Sequence, residues 1–241
     1  MGIFSFGKDT ETKQLERRAA AEAAMQAQDP GMADKAARAM ADRLLKLGID
    51  GVGPVDSAKE TAEKALLEAK GDRGRAEEII AKQHFRKIAA GGFVTGLGGL
   101  ITMPVAIPAN ILEFYLLTTR AIASIAHLRG HDVDQPELRS AVLLSLIGSD
   151  ARDVLVAAGL PGTIAGGGRL SSLASRQLPA PVLMVVNKAV GFRLVAQGGQ
   201  KILSRLGKLI PVAGGVIGAG LDSYLFNQIL DNARTEFPAK A

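Results

Sequence analysis

From Ile88 to Leu112 the chain runs for 25 residues without a charged side chain, IAAGGFVTGLGGLITMPVAIPANIL. A stretch of that length must be covered by the rest of the fold or must meet lipid, and it is long enough to cross a bilayer. Its quality argues against an ordinary span. Five glycines dilute the apolarity, and Pro104 and Pro108 interrupt a helix. Three dispositions fit: a transmembrane span, a segment that enters lipid only conditionally, and a buried hairpin at the centre of a helical domain. The buried hairpin is the expectation adopted here. Gly92 and Gly96 stand four apart, which permits close helix–helix contact in lipid or in water.

Charge is distributed unevenly around this run. Residues 1–87 hold 16 basic and 15 acidic side chains, whereas residues 88–241 hold 13 and 9. Between Arg169 and Lys208 seven basic residues (Arg169, Arg176, Lys188, Arg193, Lys201, Arg205 and Lys208) occur with no acid. Two environments suit such a segment. Acids elsewhere in the fold can neutralise it, or it can face anionic lipid or phosphate. Lys188, Arg193, Lys201 and Arg205 do not share one helical face, so a clean surface-lying amphipathic helix is not expected.

The chain otherwise reads as helices separated by Gly and Pro. Residues 9–28 form an Ala-, Glu- and Arg-rich helix stopped at Asp29-Pro30-Gly31. A helix from Met32 to Leu47 stops at Gly48, Gly51-Val52-Gly53-Pro54 turns, and Asp56 or Ser57 caps the next helix. Gly71-Asp72-Arg73-Gly74 breaks the chain before a further helix. A helix over 109–128 ends at Gly130. On it Asn110, Glu113, Arg120, Ser124 and His127 fall within about 100° of arc, a stripe that meets water or lines an internal cleft. Asp134 and Glu137 suggest a capping box for a helix over 137–148. A short helix from Ser149-Asp150 ends near Gly159, and Gly166-Gly167-Gly168 forms a joint. PVLMVVN after Pro179 has some strand propensity, although a lone apolar run makes no sheet. Helix follows over Asn187–Leu206 with a break at Gly198-Gly199. Asp222 caps the last helix or is a buried functional carboxylate.

Several chemistries lack their residues. The chain has no Cys, which excludes disulfides, thiolate metal sites and a cysteine nucleophile. No phosphate loop, no G-x-S-x-G elbow and no S-x-x-K pair occur. His127 and His131 are separated by Gly130, which breaks the helical register that two metal-binding imidazoles need, so no metal and no cofactor are expected. The net charge of +5 and the single aromatic of the basic stretch, Phe192, give no footing for nucleic acid. Met1 to Phe6 is followed at once by Lys8 and Asp9, too short an apolar stretch for a secretory signal.

Four segments, GGFVTGLGGLITMPVAIPANI at 91–111, IAHLRGHD at 125–132, NKAVGFRL at 187–194 and KLIPVAGGVIGAGLD at 208–222, together resemble the bacterial EcsC family in content, order and spacing. The likeness extends from about Leu44 to Phe237. The matching positions are mostly backbone-geometry residues (Gly92, Gly96, Gly99, Pro104, Pro108, Gly191, Pro211, Gly214, Gly215 and Gly218), joined by Asn187, Lys188, Arg193, Lys208 and Asp222. After Asp222 the sequence SYLFNQILDNAR departs from the family's Thr-containing basic tail. The resemblance implies membrane association and proximity to an ABC transporter. It implies no catalytic set.

These readings give a mainly α protein: a charged helical extension over residues 1–40 and one multi-helix, Gly-rich domain over 41–241. The expected function is non-enzymatic binding of anionic lipid or a membrane (transporter) complex, through the basic residues 169–208. The expected place is cytoplasmic, peripheral to the inner membrane. The alternative is a hydrolase acting on a lipid or peptide through Glu113, Arg120 and His127, with Asp222 nearby.

Overall fold

Residues 112–126 of one helix are buried without interruption, and the other elements are arranged to cover them. The computed structural model describes residues 30–90, 109–160, 170–206 and 213–240. The N-terminal helix over 9–28, the core of the uncharged run at 91–108, the Gly166–Gly168 joint, Arg169 and Lys208 lie outside them. Among the described residues the protein is mainly α, with eight α-helices and no strand. No helix among them is long and apolar enough to cross a membrane.

Helix α1 (Pro30–Arg43) continues as a π-helical stretch, Leu44–Asp50. The expected stop at Gly48 is not observed; the chain leaves helix at Gly51, where φ is +72°. Gly48 has a different task. A Cβ there would stand 2.8 Å from the Thr119 methyl, so the missing side chain lets this stretch lie against the central helix. Helix α2 (Ala58–Glu68) opens on a complete capping box: Ser57 Oγ accepts from the Glu60 N–H at 3.1 Å, and Glu60 Oε2 accepts from the Ser57 N–H at 2.8 Å. Helix α3 (Arg73–Ala90) starts where Asp72 Oδ1 accepts from the Arg75 N–H. The uncharged run therefore begins as the last residues of α3 and ends as the first turn of the central helix, α4 (Ala109–Leu128).

Helix α4 ends as expected. Gly130 takes φ of +84°, and the His131 N–H returns to the Ala126 carbonyl. Helix α5 (Pro136–Ser145) does not use Asp134 as its cap. Its N-cap is Gln135 without a side-chain bond, and Asp134 pairs instead with Lys59 of α2. Pro136 explains the shift, because at the first helical position its φ is preset and its missing N–H leaves one fewer donor to cap. A 3-10 turn (Gly148–Asp150) leads into α6 (Ala151–Ala157), and a second 3-10 segment spans Leu170–Ser175.

PVLMVVN is helical. It belongs to α7 (Ala180–Leu206), whose backbone continues through Gly198-Gly199. Leu183, Val186, Val190 and Leu194 are buried at spacings of three and four, so burial against α1 and α5 overrides the strand propensity. Likewise α8 (Ala213–Glu236) is one helix, and Asp222 lies within it and is not its cap. Phe226, Leu230, Ala233 and Phe237 form its buried edge against α3, α4 and α5.

The tightest crossing joins α1 to α7. A Cβ on Gly191 would collide with the Ala37 carbonyl oxygen and stand 2.8 Å from its carbon. Ala36, Ala37, Met40 and Ala41 are buried along this contact, so residues assigned by the sequence to the extension contribute to the core. Gly191→Ala should lower unfolding stability by about 2–3 kcal/mol, since both obstacles are backbone atoms and cannot rotate away. Gly74→Ala, in the open first turn of α3, should be neutral or stabilising by up to about 1 kcal/mol. Urea titration of both variants measures this, and an unchanged midpoint for Gly191→Ala would contradict the close crossing.

Candidate functional site

The described polar stripe of α4 is largely turned into the protein. Glu113, Arg120 and Ser124 are buried, and His127 is half-buried. Arg120 Nη2 donates to the Leu47 carbonyl, and Ser124 Oγ donates to the Ala58 carbonyl at 2.9 Å. Leu47 lies in the last turn before Asp50, where carbonyls have no partner within their own helix, so Arg120 completes that helix end from outside. Thr118 and Thr119 return their hydroxyls to the Phe114 and Tyr115 carbonyls at 2.7 and 2.6 Å. Burial brings the Arg120 guanidinium down to about 10, against the opposing pull of Asp56. These contacts tie α4 to its neighbours. Of the four residues considered for hydrolysis, Glu113 and Arg120 lie inside the packing, and the side chain of Asp222 lies outside the described residues.

His84 on α3 received no role from the sequence. It is buried, and its Nδ1 donates to the Ile80 carbonyl at 2.8 Å, while Nε2 has no hydrogen-bond partner among the described residues. Burial pushes its pKa down to about 4, with smaller contributions from Lys87 and Arg120, so the ring is neutral.

A second polar centre holds the C-terminal end of the chain. Arg129 grips Glu77 through two bonds, 2.6 Å from Nε and 2.9 Å from Nη2. Its Nη1 donates to the Arg234 and Phe237 carbonyls at 2.6 and 3.0 Å, filling acceptors at the end of α8. His131 Nε2 donates to the Pro238 carbonyl at 2.7 Å and meets the Phe237 ring edge-on. The Lys240 N–H closes onto the Arg129 carbonyl at 2.8 Å. The sequence signal was there, in the Arg-Gly-His that follows α4, but Glu77 lies 52 residues away and the C-terminal partners more than a hundred.

The basic candidates of 169–208 separate on inspection. Lys188 pairs with Asp34 of α1, which also takes Arg38 at 3.0 Å, and Lys188 is the main cause of the lowered Asp34 pKa. Arg193 pairs with Asp150 at 2.9 Å. For these two, neutralisation by acids elsewhere in the fold is what the structure holds. Arg176 is exposed. Lys201 and Arg205 lie on α7, with side chains outside the described residues, as are Arg169 and Lys208 altogether. Beside Lys188, α7 presents Met184, Val185 and Phe192, which are 53%, 49% and 54% exposed. With Pro181 they occupy about 100° of arc, opposite the buried edge.

No group of His, Asp and Glu able to hold a metal ion occurs among the described residues. Comparison of the chain with protein-family models, with curated proteins and with solved structures returned no match.

The two buried histidines set a pH dependence. Burial lowers the pKa of both below the ordinary 6.5, to about 4 for His84. Above pH 6.5 both are neutral, folded or unfolded, and contribute no slope. Below it the unfolded chain takes up protons that the fold refuses, so stability falls with acidification until the folded pKa is reached. His84 alone should remove about 3 kcal/mol between pH 6.5 and 4. Urea titrations across this range should show the decline, with a shallower slope for His84→Gln; equal slopes would remove His84 as its source.

Proposed function

We propose that this protein binds the surface of a membrane from the cytoplasmic side, without catalysing a reaction, and recognises anionic lipid or a lipid-embedded (transporter) complex. The observation that carries the reading is the exposed apolar face of α7. Three large apolar side chains on one arc of a covered, well-anchored helix are costly to leave in water, and a bilayer interface removes that cost. The Gly191–Ala37 crossing lies next to Met184 around the helix, and Leu183, Val186, Val190 and Leu194 are buried on the opposite side, so the face is held out by the fold. Lys188 lies within its arc, in a stretch of sequence without acids. The resemblance of the chain to the EcsC family is part of this reading and agrees with it in placing the protein at a membrane.

Electrostatics from the described part of α7 is modest, because Lys188 and Arg193 already have acidic partners. Apolar contact should therefore dominate its share. Flotation with neutral and anionic vesicles at low and high salt tests this. The wild-type protein should float with anionic vesicles, and Met184→Ser/Val185→Ser/Phe192→Ser should bind them about tenfold or more weakly. Equal absence of the wild type from both kinds of vesicle would end the proposal.

A further inference from the structure

If the α7 cations are largely compensated within the fold, attraction to anionic lipid needs another source. The C-terminal half of α3 supplies one that the sequence reading passed over. Lys82, Phe85 and Arg86 are exposed within about 100° of arc, and Lys87, also exposed, lies about 100° further round, on the side toward Arg120. None of the three cations has an ion-pair partner among the described residues. One acid, Glu78, shares the face one turn earlier. Ile88, the next residue, opens the uncharged run. Cations placed immediately before a long uncharged segment, with an aromatic ring among them, match the charge and polarity profile of an anionic bilayer surface.

The adjoining side of the helix end, where Lys87 stands, also favours an incoming anion. Lys87 is partly desolvated and feels the buried Arg120 across the α3–α4 contact, and both effects lower its pKa, with only Asp56 opposing. A positive group held in that position gains from a phosphate that approaches from solvent. His84 contributes no acceptor toward solvent, because its ring is buried on the inner side of the same helix.

We infer that Lys82 and Arg86, with Phe85 next to them, and Lys87 on the adjoining side, form around the C-terminal end of this helix a docking site for the phosphate headgroups of anionic phospholipids. The inference rests on the membrane-surface reading above and names the lipid class and the residues that select it. Phe85 supplies a shallow apolar contact, and the three cations supply charge selection. Basic residues near a helix C-terminus also offset the helix dipole, but that role moves stability and leaves vesicle binding alone.

The test uses the full chain and vesicles of phosphatidylcholine alone or mixed with phosphatidylglycerol. Lys82→Gln/Arg86→Gln/Lys87→Gln should keep the melting curve close to wild type, since none of the three has an ion-pair partner among the described residues to lose. A basic residue near an anionic surface is worth about fivefold in affinity, so the triple variant should bind the mixed vesicles about a hundredfold more weakly. Arg176→Gln/Lys188→Gln should lose much less. Wild-type binding that the α3 variant retains in full would overturn this inference and leave the α7 proposal standing. Absence of wild-type binding to either vesicle would overturn both. Loss of self-association in the variant, with vesicle binding unchanged, would assign the face to a second copy of the chain and also overturn the lipid site.

Discussion

A helix buried on every side cannot leave a polar group without a partner, and α4 brings Thr118, Thr119, Arg120 and Ser124 into the interior. Their contacts explain much of the architecture. The two threonines turn back onto their own helix. Arg120 and Ser124 reach outward to carbonyls of the α1 extension and of α2, which fixes where those elements lie. A desolvated guanidinium is tolerated only with such acceptors, because an unpaired charge there would cost several kcal/mol. Gly48 completes the arrangement by letting the extension come close enough to be reached.

The same economy accounts for the two ends of the fold. Arg129, at the foot of α4, fills the last carbonyls of α8 and binds Glu77 of α3, so one side chain links three helices. At the other side Gly191 lets α7 and α1 touch through their backbones. Beside that crossing, with Leu183, Val186, Val190 and Leu194 turned inward, α7 leaves Met184, Val185 and Phe192 to solvent. Arg38 Nη1 of α1 donates to the Met184 sulfur at 4.0 Å, but all three side chains stay about half exposed, which is why they bear on what the protein meets.

Local signals were legible in the sequence. Ser57 and Glu60 announced a helix start, and Gly130 a helix end, because capping depends on residues a few positions apart. The helical class was legible for the same reason. Signals that depend on tertiary partners were not. Gly48 looked like a stop and is a packing position, and Asp134 looked like a cap and pairs with Lys59. PVLMVVN had some strand propensity and is helical, with its buried edge packed against α1 and α5. The stripe on α4 had the right members, but only the fold shows that backbone carbonyls stand opposite Arg120 and Ser124. The basic stretch was visible as a run of charge, whereas its pairing with Asp34 and Asp150 joins residues far apart in the chain. Lys82, Arg86 and Lys87 were lost in the balanced charge of the first third and stand out only once their neighbours are known.

The membrane reading is tested most directly by where Phe192 sits when lipid is present. The chain contains no Trp, so Phe192→Trp would be a single fluorescent reporter on the α7 face, with Leu67→Trp, at a site 79% exposed on α2, as the reference. On addition of anionic vesicles the account predicts a blue shift for Trp at 192 and quenching by brominated lipid chains, with neither at 67. An unshifted, unquenched signal at 192 from protein that floats with the vesicles would contradict it.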